Sequence, residues 1–147
     1  MKYQEGNLGR VFILRLEHNE IVHEVVENFA KDKNIKSAAL IAVGGGNEGS
    51  KVVVGPENGN SKPVNPMEHI LQNVHEIVGT GTLFPDESGN PMLHMHMAFG
   101  RESSTVTGCI RRGVKVWQIL EIIIFEINGI NVMRKYNKSF GFHLLEP

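Results

Sequence analysis

Only one stretch of this chain repeats its apolar residues at helical spacing. Ile21, Val22, Val25, Val26, Phe29 and Ala30 fall on one side, and Glu20, Glu24, Glu27 and Lys31 fill the other. That pattern predicts one amphipathic helix ending near Lys33, with Asn19 as the N-cap whose side-chain oxygen accepts from an unpaired backbone N–H. The remaining patterned segments are short, β-branched and punctuated by turn chemistry, so they read as strands. They are Val11 to Leu16, Ser37 to Val43, Val52 to Val54, Glu76 to Phe84, Met92 to Phe99, Thr105 to Ile110 and Lys115 to Ile127. Gly55 to Pro66 is a loop rich in Gly, Pro and Asn, and Pro85 to Pro91 is a turn. Asn128-Gly129 tolerates positive φ at both central turn positions, which predicts a hairpin into Ile130 to Tyr136. One helix and about seven strands make a mostly antiparallel α+β fold, over residues 1–147 as a single domain.

Composition narrows the function. Lys+Arg 15 against Asp+Glu 16 leaves a formal net charge of -1, whereas a domain that grips phosphate backbones is usually much more basic. The one cysteine, Cys109, excludes an intramolecular disulfide and fits a reducing, cytoplasmic setting. The N-terminus lacks the apolar stretch of a signal peptide, and the most apolar run, Val114 to Ile127, is interrupted by Lys115, Gln118, Glu121 and Glu126. No membrane role is expected. Gly44-Gly45-Gly46-Asn47-Glu48-Gly49 fits G-x-G-x-x-G, but Ser50 to Val54 reads as strand where a dinucleotide site needs a helix, so a turn between strands is the better reading.

His94-Met95-His96 carries more information. Residues i and i+2 share one face of a strand, so both imidazoles point the same way. If Arg101 to Ser104 forms a hairpin turn, paired residues sum to 205, and His96 lies opposite Cys109 while His94 lies opposite Arg111. Directly opposed side chains on one face are close enough for two nitrogens and one sulfur to reach a single metal ion. The mixed donor set suits zinc, and less selectively iron, nickel or copper. The bland alternative is an inert thiol beside two surface histidines. His75 and Glu76 open a strand and offer a further ligand or general base, although a solvated strand end is the commoner case; solvent exposure accounts for His18 and His23. Arg15 and Glu121 each interrupt an apolar strand and would need a partner if buried; they are candidates to pair with each other.

Gly9-Arg10-Val11-Phe12-Ile13-Leu14-Arg15-Leu16, the helix after it, and Leu93-His94-Met95-His96 with Thr107-Gly108-Cys109 resemble the PPC (plants and prokaryotes conserved) domain family, as a prokaryotic stand-alone member. The resemblance runs from about Gly9 to the C-terminus. It implies a bent antiparallel sheet with a helix packed on it, a homotrimer, and a metal, zinc foremost, held by the His-x-His pair and a third residue in the Gly-containing motif. Several relatives carry histidine at that third position; here it is Cys109. Plant relatives follow an AT-hook, the source of the family's DNA-binding label. This chain has no Arg-Gly-Arg-Pro element, and Arg111-Arg112 is a single basic doublet.

Two functions therefore stand against each other. In the first, His94, His96 and Cys109 bind one divalent transition metal with a fourth position open, which permits action on a small molecule. In the second, the chain is a DNA-binding or transcription-associated module, with residues such as Lys51, Lys62, Arg111 and Arg112 gathered into a patch by an oligomer.

Overall fold

The computed structural model describes residues 1–147. Its elements in chain order are β1 (Asn7–Glu17), α1 (Val22–Asp32), β2 (Ala38–Gly46), β3 (Lys51–Pro56), β4 (Pro66–Ile70), β5 (His75–Pro85), β6 (Pro91–Arg101), β7 (Ser104–Cys109), β8 (Val116–Asn128), β9 (Met133–Asn137) and β10 (Phe142–Glu146). Eight strands form one antiparallel sheet in the order β1-β8-β2-β5-β6-β7-β3-β4, and β9 and β10 form a separate two-stranded ribbon. The fold is α+β, as the periodicity predicts, with eight strands in the main sheet where about seven are expected.

Strand alternation divides the sheet into two unlike faces. On the inner face Leu40, Leu83, Leu93, Met95, Met97, Phe99, Leu120, Ile122 and Ile124 are buried in one apolar core. Val22, Val26 and Ala30 of α1 are buried in the same core. Gly79 and Gly81 on β5 make room there: a Cβ at Gly79 would come within 2.5 Å of the Met97 side chain, and one at Gly81 within 2.8 Å of Met95. With Leu93, Met95 and Met97 held inward, the alternating His94 and His96 must face outward.

The helix begins differently from the sequence expectation. Ile21 is the N-cap residue and makes no side-chain cap bond; Val22 N–H donates instead to the Val114 carbonyl at 3.0 Å. Asn19 lies two residues earlier at φ 69, and its Oδ1 accepts from Asn47 Nδ2 at 2.8 Å. The neighbouring strand supplies a carbonyl-bonded start, so a capping side chain is not needed.

The Asn128-Gly129 hairpin does not form. Asn128 is still paired with Asn7 in β1, and Gly129 alone of the two has positive φ, at 77. A type I′ turn needs positive φ at both positions. The chain leaves the sheet there, and β9 pairs with β10, a strand the sequence reading did not contain. β4 likewise carries no periodicity that marks it, its five residues opening on Pro66, the last residue of the expected loop. The G-x-G-x-x-G segment behaves as expected: β2 runs through Gly46 and Lys51 opens β3, with no helix behind the glycines.

Candidate metal centre

Two transverse rows of side chains cross the outer face of the sheet and define the site. One row runs Ile13, Ile123, Ile41, Thr80, His96, Cys109 across β1, β8, β2, β5, β6 and β7. The next runs Val11, Phe125, Ala39, Thr82, His94. His96 lies directly opposite Cys109, the register the hairpin count predicts. Arg101 pairs with Ser104, leaving a two-residue turn with Glu102 at φ 55. At its other end the ladder stops at His96–Cys109, so His94 has no opposed residue on β7, and Arg111, expected opposite it, lies beyond the strand end.

His94, His96 and Cys109 each bring one ligand atom within 4.8 Å of the other two. The two Nε2 atoms are 3.1 Å apart, with ring centroids at 5.0 Å and planes at 76°. Both histidines are exposed and Cys109 is half-buried, so an ion can enter from solvent. Two imidazole nitrogens and one thiol sulfur fit a transition metal by donor chemistry, and leave room for a further ligand. Although its ring reaches solvent, partial desolvation, then the charges of Arg134, His96 and Arg111, push the His94 imidazole down to about 4. A neutral imidazole at neutral pH is the form that binds a metal.

Gly108 brings Cys109 into place. A Cβ at Gly108 would stand 2.2 Å from the Val53 carbonyl oxygen, so only glycine lets β3 close against β7, where Val53 pairs with Cys109. On the other flank, Glu27 of α1 accepts from the Leu93 N–H at 2.8 Å, securing the backbone just before His94.

Arg134 is a site residue that sequence reading does not find. It comes from β9, its residue exposure is 3%, and no carboxylate pairs with it. Its Nη2 donates to the Thr82 hydroxyl at 2.8 Å and lies 3.4 Å from the Thr82 carbonyl oxygen, while the buried Nε has no partner. Thr82 is the residue directly opposite His94, so the guanidinium lies on the histidine face. Burial pushes Arg134 below its usual range; Arg111 acts in the same sense and Cys109 opposes it. No sequence signal marks Arg134, because its contact with Thr82 joins residues 52 apart in the chain.

The other residues singled out in the sequence lie elsewhere. His75 and Glu76 start β5, with Glu76 opposite Gly100, and take no part in the histidine-cysteine group. His18 Nδ1 accepts from the Gln118 N–H at 3.1 Å. His23 is half-buried with its Nδ1 unpartnered, so solvent exposure does not account for it. Arg15 and Glu121 are directly opposed, yet Arg15 donates to Glu17 at 2.7 and 2.9 Å; both are exposed and neither requires a buried partner. Glu121 and His96 line a shallow groove of about 620 Å³ along the outer face, otherwise largely apolar.

The model of the Plants and Prokaryotes Conserved (PCC) domain, also written PPC, matches residues 3–128. The chain belongs to that family. Among solved structures, a plant- and prokaryote-conserved protein of Pyrococcus horikoshii superposes with a TM-score of 0.85 at 23% identity, over 100% of this chain and 98% of its own. A metal-containing protein of Archaeoglobus fulgidus superposes at 0.84 with 23% identity, covering 100% of both chains. A Bacteroides thetaiotaomicron protein, provisionally described as DNA-binding, superposes at 0.76 with 17% identity over 96% of each. These identities carry the PCC fold. No curated protein sequence matches the chain. No helix of the PCC fold here is long and apolar enough to cross a membrane.

Proposed function

We propose that this PCC chain binds one divalent transition metal, zinc foremost, through His94, His96 and Cys109, and acts on or senses a small molecule at the remaining coordination position. The observation that carries the proposal is the convergence of the three ligand atoms within 4.8 Å on one face of adjacent strands. The metal-containing A. fulgidus neighbour supports it. When bound, the metal would supply Lewis acidity to a ligand, and Thr80 and Thr82 lie opposite the histidines that would hold it. Residues 1–147 act as one domain in a reducing, cytoplasmic setting that keeps the Cys109 thiol available. The assembly is a homotrimer, supported by the apolar outer face, where Val11, Ile13, Ile41, Val43 and Val78 are each about half exposed or more.

The test is elemental analysis of the wild-type protein beside His94→Ala and Cys109→Ser. Near-stoichiometric zinc in the wild type, lost from both variants, is the expected result. A wild type without stoichiometric metal, whose melting temperature in zinc is unchanged by either substitution, would remove the metal centre.

A second reading, DNA binding, is favoured by the B. thetaiotaomicron and Ralstonia eutropha neighbours, both provisionally described as DNA-binding. The net charge of -1 weighs against it. Tight, salt-sensitive binding in a mobility-shift titration at low salt would favour this second reading over the first.

A further inference from the structure

The geometry points to an anion pocket beside the histidine-cysteine group, in which Arg134 and Arg111 hold a small oxyanion, a carboxylate or a phosphate, against the metal position. This deepens the metal reading and rests on it for the oxyanion's second contact. Three observations carry it. Arg134 is a buried guanidinium at 3% exposure whose hydrogen bonds run from Nη2 alone, to one threonine, with Nε unpartnered and the Phe84 ring, centred 5.7 Å from Cζ, as its aromatic neighbour rather than a counter-charge. Burying a cation without a counter-charge is costly, and such a group persists where something else compensates it. No acidic side chain of this chain does so: the carboxylates that make ion pairs are Glu146, Glu126, Glu17 and Glu68, none of them with Arg134.

Arg111 is the second observation. It lies two residues beyond Cys109, is exposed, and makes no ion pair, whereas the adjacent Arg112 is tied to Glu68 at 3.0 Å. The third is mutual placement. Thr82 anchors Arg134 directly across from His94, on the face that carries the three ligand atoms, and Ile110 just before Arg111 donates its N–H to the Met95 carbonyl at 3.2 Å, so Arg111 leaves the strand beside the histidine segment.

Such a corner is mismatched to a metal cation alone. A divalent ion beside two arginines gains one negative charge from a Cys109 thiolate, and an anion in its open position would balance much of the remainder. A guanidinium offers paired N–H donors that match the two oxygens of a carboxylate or phosphate. Arg134 is too deeply set for the backbone of a duplex to reach, so the occupant is a small molecule rather than DNA.

The experiment uses the full chain and reads zinc content first, by elemental analysis. Inorganic phosphate and acetate are then titrated calorimetrically into zinc-loaded and zinc-stripped protein, for wild type, Arg111→Ala and Arg134→Met. The loaded wild type should bind at least one of the two anions, the stronger one identifying the ligand as phosphate-like or carboxylate-like. Each arginine variant should bind about tenfold more weakly or worse while keeping its zinc, the loss of one charge-assisted contact. Arg111→Ala, at an exposed position, keeps the test informative should Arg134→Met not fold. A wild type that binds neither anion, or variants that bind as tightly as wild type, would overturn the pocket. So would a short DNA duplex that binds through these arginines where the small anions do not. If the wild type holds no zinc, the metal reading fails by itself; anion binding to that protein that disappears in both variants still sustains the arginine pocket.

Discussion

Glu126 is the acid in β8 that matters to the fold. It interrupts an apolar strand as Glu121 does, but it is buried and held by Arg10 through Nε at 2.7 Å, Nη2 at 2.6 Å and the backbone N–H at 3.0 Å. The Arg10 side chain also donates to the Lys33 carbonyl just after α1 and lies over the Phe12 ring. Gly9 leaves the space the carboxylate needs, since a Cβ there would meet Glu126 Oε2 at 2.8 Å. Hydrogen bonding from Arg10 holds Glu126 below its ordinary value of 4.5 against the opposing effect of burial. A carboxylate depressed in the folded state contributes stability that is present above its unfolded pKa and is lost as pH falls through the folded one. Glu126→Gln should therefore melt below wild type at pH 7, with the gap closing as the pH drops under about 4.5. Thermal melts from pH 7 to pH 3 check this, and a gap that stays constant across the range would refute it.

At the scale of elements, two contacts decide whether the strands present the site correctly. The first is the approach of β3 to β7 across Gly108, where any side chain meets the backbone of Val53. Backbone cannot turn aside as a flexible side chain can, so Gly108→Ala should cost about 3 kcal/mol, the upper end for overpacking. It should also displace Cys109 and reduce zinc affinity, while the control Gly59→Ala, with nothing within 4 Å of the added Cβ, leaves zinc binding unchanged. Denaturant unfolding and a zinc titration of both variants read the two effects. The second contact is Glu27 of α1 on the Leu93 N–H. Leu93 is buried, and Glu27→Ala leaves its donor unpaired, at a cost of about 1–3 kcal/mol. Hydrogen exchange should show the Leu93 amide losing protection in that variant, ahead of the centre of β6.

For the whole molecule, the two faces of the sheet give opposite signals. The inner face is filled by α1 and the core, whereas the outer face carries a band of exposed aliphatic side chains, with Ile13 at 81% and Val78 at 63%. A band of this kind marks an interaction surface more often than a solvent-facing one. Ile41→Lys with Val78→Lys, both on the outer face, should convert the proposed trimer into a monomer of 16.4 kDa without unfolding it. Sedimentation equilibrium distinguishes the two masses, and a wild type already at monomer mass at micromolar concentration would remove the trimer.

Local patterns suffice for much of this protein. The helix, most strands and the His96–Cys109 register follow from period and turn length, because strand alternation and hairpin pairing are properties of neighbouring residues. The histidine-cysteine group is legible for the same reason: all three residues lie within one hairpin. Other features depend on contacts between residues far apart in sequence. The start of α1 is satisfied by the Val114 carbonyl, which no capping pattern around Asn19 reveals. Asn128 stays in the sheet because Asn7 pairs with it, and that defeats the hairpin its dipeptide favours. Arg10 finds Glu126 across 116 residues, and Arg134 reaches Thr82 across 52. Charge pairing and burial at such separations are set by which surfaces meet when the sheet closes, so the guanidinium beside the histidines was decided by tertiary structure alone.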